Sequence, residues 1–128
     1  MRIIIAGSRT MSDYDKIRDA LNQYVKEKHF SRQDIEKIEI VSGHCPSGAD
    51  MLGEKFAKIN HLQLSLFPAD WNKYGKAAGP IRNEKMAQYA SQDNGVLMAF
   101  WDGKSHGTKN MISLAKQYHL DVHVFRIK

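Results

Sequence analysis

Two runs in this chain are apolar at every position: Ile3-Ile4-Ile5-Ala6, and Val96-Leu97-Met98-Ala99-Phe100-Trp101. Successive side chains of a strand point to opposite faces, so a strand with no polar position must be covered on both sides. Such strands belong in the middle of a sheet with helices above and below it. Three further apolar runs and several amphipathic segments alternate along the chain, which predicts a layered α/β domain. The 128 residues suit one domain, spanning 1–128 and large enough to bury a core unaided.

Ser12 is read as an N-cap with Asp15 three residues on. Tyr14, Ile17, Leu21, Tyr24 and Val25 then follow at helical spacing, predicting a helix from about Asp13 to Lys28. Ile38 to Val41 reads as the second strand, and Gly48 to Ile59 as a helix with Ala49, Leu52, Phe56 and Ala57 on one face. Leu62, Leu64 and Leu66 alternate with Gln63 and Ser65, so the third strand has a polar face and suits a sheet edge. An irregular stretch, Pro68 to Gly79, leads to a helix starting near Pro80. A last helix runs near Thr108 to Tyr118 with Thr108 as its N-cap, and Val122 to Ile127 forms the other edge. The fold class expected is a Rossmann-like, doubly wound parallel sheet of about five strands in the order 3-2-1-4-5, with helices on both faces. Its switch point lies between strands one and four, where ligands of such sheets sit at the carboxyl ends.

Composition removes several function classes. The lone Cys45 excludes a disulfide framework and points to a reducing compartment. No run approaches the ~20 apolar residues of a membrane span, and Gly7-Ser8-Arg9 cuts short the leader-like start Met1 to Ala6. A cytoplasmic protein without a membrane partner is expected, in the host cytoplasm if phage-encoded. Nineteen Lys and Arg against fourteen Asp and Glu favour an anionic partner, yet the basic residues are scattered, which disfavours nucleic acid.

Four loops leave the strand ends. Gly7-Ser8-Arg9 offers close backbone approach, a hydroxyl and a guanidinium suited to phosphate. It lacks the Gly-x-Gly-x-x-Gly fingerprint, so no dinucleotide cofactor is expected. Gly43 and Gly48 have the separation of a phosphate-binding P-loop, but Ala49-Asp50 stands where Lys and Ser or Thr would be, which disfavours an ATPase. Ser47, Gly48 and the following helix start could still hold one phosphate or a sugar hydroxyl. Asp50 either accepts from a ribose hydroxyl or stabilises its helix start. His44 and Cys45 adjoin one another without a spaced quartet, so no metal is expected. In the long third region Trp71 and Tyr74 could flank a base, Lys73 or Lys76 could meet phosphate, and Arg82-Asn83 falls in a helix's first turn. The fourth loop, Asp102-Gly103-Lys104-Ser105-His106-Gly107-Thr108, combines small residues, hydroxyls and a helix start, the makings of a phosphate cradle.

Gly7-Ser8-Arg9, Gly43-x-x-x-x-Gly48-Ala49-Asp50, Ala69-Asp70-Trp71, Tyr74-Gly75-Lys76-x-Ala78-Gly79-Pro80-x-Arg82-Asn83-x-x-Met86 and Phe100-Trp101-Asp102-Gly103-x-Ser105-x-Gly107-Thr108 resemble, in this order, the YspA-like proteins of the SLOG superfamily. These are Rossmann-like relatives of DprA/Smf and of the LOG phosphoribohydrolases. The resemblance implies a nucleotide or nucleotide-derived ligand, either ADP-ribose-like or cyclic. It also implies a sensor or a sequestering protein, such as a sponge that a phage uses against nucleotide signals, and a homo-oligomer, with Tyr24, Met86 or Tyr89 as candidate contact residues. The hydrolase motif's glutamate position falls on Met111. Cleavage of an N-glycosidic bond would then rest on Arg82 with Asp50, Glu84 or Asp102. A nucleotide hydrolase and a DprA-like binder of single-stranded nucleic acid stay as alternatives.

Overall fold

The computed structural model describes residues 1–127. Its five strands, β1 (Arg2–Gly7), β2 (Glu39–Ser42), β3 (Gln63–Leu66), β4 (Gly95–Trp101) and β5 (Asp121–Arg126), form one parallel sheet in the order β3-β2-β1-β4-β5. This is the order expected from the burial pattern, and the two fully apolar runs lie side by side at its centre. Helices α1 (Tyr14–Glu27), α2 (Arg32–Glu36), α3 (Ala49–Ile59), α4 (Trp71–Tyr74), α5 (Ala78–Ser91) and α6 (His106–Gln117) connect the strands, with a 3₁₀ turn at Gly75–Ala77.

Alternation along the central strands divides the core in two. Ile3, Ile5, Met98 and Phe100 pack with Ile17 and Leu21 of α1 and Phe56 of α3 on one face. Ile4, Leu97 and Ala99 pack with Met86 of α5 and Met111 and Ile112 of α6 on the other. Each strand therefore buries both faces, as its composition requires. Tyr24 and Met86 are core residues, at 5% and 2% exposure, and cannot form a docking face. Tyr89, half-buried, donates to the buried Glu39 carboxylate, which also accepts from Ser65 Oγ at 2.5 Å. On the polar side of β3, Ser65 thus meets a buried acceptor while Gln63 stays exposed.

Several boundaries differ from the sequence expectation. Asp13, not Ser12, caps α1 and accepts from Lys16 N–H. The short α2 was not anticipated; its Ser31–Asp34 capping box carries too small an apolar face to register as periodicity. Helix α5 starts at Ala78, with Pro80 still inside the first turn, where a missing N–H costs nothing. Helix α6 starts at His106 under Ser105, whose hydroxyl accepts from Thr108 N–H at 3.4 Å, so Thr108 is the third helical residue and not the cap.

Helices α1, α3 and α6 end alike. His29, His61 and His119 follow the C-caps at φ 55°, 55° and 61°, and the next residue's N–H returns to a carbonyl five residues back. This is the left-handed C-terminal motif that glycine usually fills. A side chain there costs ~1–2 kcal/mol, of which glycine's freedom in the unfolded chain takes back ~0.5–1. His29→Gly, His61→Gly and His119→Gly together are expected to raise the melting temperature by a few degrees, read by calorimetry. No change or a fall would show that the imidazoles make compensating contacts.

Candidate functional site

The connections after β1 and β4 diverge to opposite faces of the sheet, and a cleft of about 520 Å³ opens there. It is lined by the end of β1 (Ala6, Gly7), by Arg9, by Cys45 and Asp50 from the β2–α3 connection, by the α4–α5 strap and by the start of α6. Of the residues singled out in the sequence, Gly7, Arg9, Asp50, Trp71, Lys76, Arg82, Asn83, Ser105, Gly107 and Thr108 line it.

Among the cations lining the cleft, Arg82 is held by the most hydrogen bonds. Its Nη1 donates to the carbonyls of Gly43 at 2.5 Å and Phe67 at 3.5 Å, and its Nε to Asn83 Oδ1 at 2.9 Å. Asn83 in turn donates to Gly107 O at 3.3 Å and Asn110 Oδ1 at 3.0 Å, tying α5 to the start of α6. Gly43 has to be a glycine: a Cβ there would sit 2.5 Å from Arg82 Nη1 and 3.0 Å from Asp50 Oδ2. The guanidinium and the carboxylate therefore both crowd the bare backbone of Gly43.

Asp50 is 7% exposed and the only carboxylate among the cleft-lining residues. Cys45 N–H donates to its Oδ2 at 3.2 Å. Burial pushes its pKa above the usual carboxylate range, against the pull of that N–H and of Arg82. Burial, and then the Asp50 charge, also push the Cys45 thiol up, which makes it a poor nucleophile. At the opposite wall, the N–H groups of His106 and Gly107, the first two of α6, have no acceptor among the described residues. Together with the helix dipole they favour an anion. Among the described residues, no three His, Cys, Asp or Glu side chains gather as metal ligands do.

Other residues from the sequence reading shape the site from behind. Ser8 is buried; its carbonyl accepts from Met11 and Ala49, and its hydroxyl from Asp102 N–H at 3.3 Å. Gly48, at φ 79°, passes so close to Ser8 and Arg9 that no side chain fits. Asp102 points at its own turn and accepts from Lys104 and Ser105 N–H at 2.8 Å each, which hold its pKa below the usual range. Gly103, at φ 82°, makes room for the Arg126 guanidinium. Ser47 is exposed and Glu84 half-buried, both off the cleft wall. Tyr74 lines a neighbouring hollow of about 190 Å³ with Phe67 and Ile81. Met86, His106, Asn110 and Met111 line the cleft without having been singled out as binding residues. All four lie within the two helices that flank it, and helical spacing from Arg82 and Gly107 was the signal that could have found them. Of the carboxylates considered for catalysis, Asp50 alone reaches the cleft.

Asp102→Ala would free the turn that aims the start of α6. Ligand affinity is expected to fall several-fold with little change in melting temperature, measured by calorimetric titration.

The family profile described as YspA, cpYpsA-related SLOG family matches residues 1–74, more than half of the chain. This chain belongs to that SLOG family. The match takes in the β1 loop, the β2–α3 connection and the strap through Tyr74, which together supply Gly7, Arg9, Asp50 and Trp71 to the cleft. This SLOG protein is also similar to the Gene 61 protein of Mycobacterium phage D29, at 28% identity over 126 residues, covering 94% of this chain and 93% of that protein. No solved structure matches it. No helix among the described residues is long and apolar enough to cross a membrane.

Proposed function

We propose that this SLOG protein binds a small nucleotide or nucleotide-derived signal, ADP-ribose-like or cyclic, and acts as a sensor or a sequestering protein. One observation carries the reading: Arg9, Lys76 and Arg82 line the same switch-point cleft as the two uncovered N–H groups of α6. Cationic side chains and helix-start amides in one concave site match a phosphorylated ligand, and Trp71, half exposed on the rim, offers a ring for a base. Met111 lines the wall where the hydrolase motif carries glutamate. A thioether neither activates water nor supports positive charge on a sugar, so retention is favoured over turnover. Similarity to a phage protein supports sequestration of such a signal in the host cytoplasm, and a homo-oligomer remains part of the proposal.

The test is a thermal-shift and calorimetric panel of AMP, ADP, ADP-ribose and cyclic mononucleotides, joined to native mass spectrometry of the purified protein. Saturable binding with the ligand recovered unchanged is expected. Release of free base would move the assignment to a hydrolase; absence of binding across the panel would remove it. Affinity rising with oligonucleotide length would point to single-stranded nucleic acid.

A further inference from the structure

The one acidic group in an otherwise cationic cleft is not explained by anion binding. Asp50 repels phosphate, and its burial beside an anion site costs free energy unless a ligand donor meets it. Its Oδ2 is engaged by Cys45 N–H and the Cys45 thiol also leans on the carboxylate, while Oδ1 has no N–H or O–H donor among the described residues. A carboxylate with an open lone-pair face in a cleft calls for a neutral donor. The neighbouring Arg82 decides which donor. Arg82 Nη1 and Asp50 Oδ2 both approach within 3.0 Å of the point above Gly43 where a side chain would begin. A phosphate held by Arg82 brings next to Asp50 whatever is bonded to that phosphate. At the α-phosphate of a nucleotide that is the sugar, and the base is farther away.

We infer that Asp50 accepts a hydrogen bond from a ribose hydroxyl and makes the cleft selective for ribonucleotides over their deoxy counterparts. This rests on the nucleotide-binding reading and adds the sugar to it. A site built to accept from a hydroxyl discriminates strongly against the analogue that lacks it, because the buried acceptor is then left unmet.

The experiment titrates the full chain with ADP, 2′,3′-dideoxy-ADP and inorganic pyrophosphate, then repeats the series with Asp50→Asn. The wild-type protein is expected to bind ADP about 10-fold or more tightly than the dideoxy compound. Asn keeps an acceptor for Cys45 but loses the charge, so Asp50→Asn should narrow that preference at least roughly threefold while holding pyrophosphate as well as or better than the wild type. A merely structural Asp50 would weaken all three ligands together, which overturns the inference. Equal wild-type affinity for ADP and its dideoxy analogue overturns it without any variant. Pyrophosphate binding with neither nucleotide bound overturns the sugar contact and leaves the anion site standing. A protein that binds none of the three overturns both.

Discussion

Arg82→Ala is expected to weaken nucleotide binding by roughly 10- to 150-fold, the effect of losing ~1.5–3 kcal/mol of charge-assisted hydrogen bonding. The arginine is held by two carbonyls and the Asn83 side-chain oxygen before any ligand arrives, so little of its side-chain freedom is left to lose on binding. Truncation removes both the charge and the clamp between β2, β3 and α5. Arg82→Lys separates the two: the charge stays, the planar fork is lost, and an intermediate affinity is expected. Titration calorimetry with a melting curve for each variant reads the result. Full affinity in Arg82→Ala would take Arg82 out of the site.

The second large effect is on stability. Phe100 has no exposed surface and stacks on Phe125 with ring centroids 4.9 Å apart and planes 13° apart. Its carbonyl accepts from Ser8 N–H, and the carbonyl of the following residue, Trp101, accepts from Ile127 N–H. Phe100→Ala would leave a hole beneath the switch point and is expected to cost ~3–5 kcal/mol. For a domain of this size that lowers the melting temperature by roughly 10–20 °C. Because Phe100 lines the cleft nowhere, ligand affinity measured well below the melting point should change little. A loss below 1.5 kcal/mol would mean that the surrounding side chains collapse into the space.

The sheet order was legible because burial is written along each strand: two runs without polar positions had to be central, and two alternating ones had to be edges. Strand order in turn puts the cleft at the switch point between β1 and β4. Side-chain direction within a loop was not legible. Asp102 and Gly103 lie a few residues before Gly107, yet one braces the turn and the other accommodates Arg126. Trp71 and Tyr74 sit three residues apart on one short helix and serve different hollows. The cap of α6 was misplaced because Ser105 and Thr108 are both good N-cap residues; only the extended backbone of Ser105 decides between them.

The parallel sheet also gives the molecule two unlike rims. Every strand delivers its chain to the cleft side, while the histidine-ended helices turn back on the other, where Met1 also lies, its ammonium on the Asp93 carboxylate. A purification tag or reporter joined through Met1 therefore emerges away from the mouth. On the other rim Ile127 N–H is tied to Trp101 O, so the described end of β5 stays fastened to β4. The Met1 rim is thus the side on which a reporter leaves the entrance open.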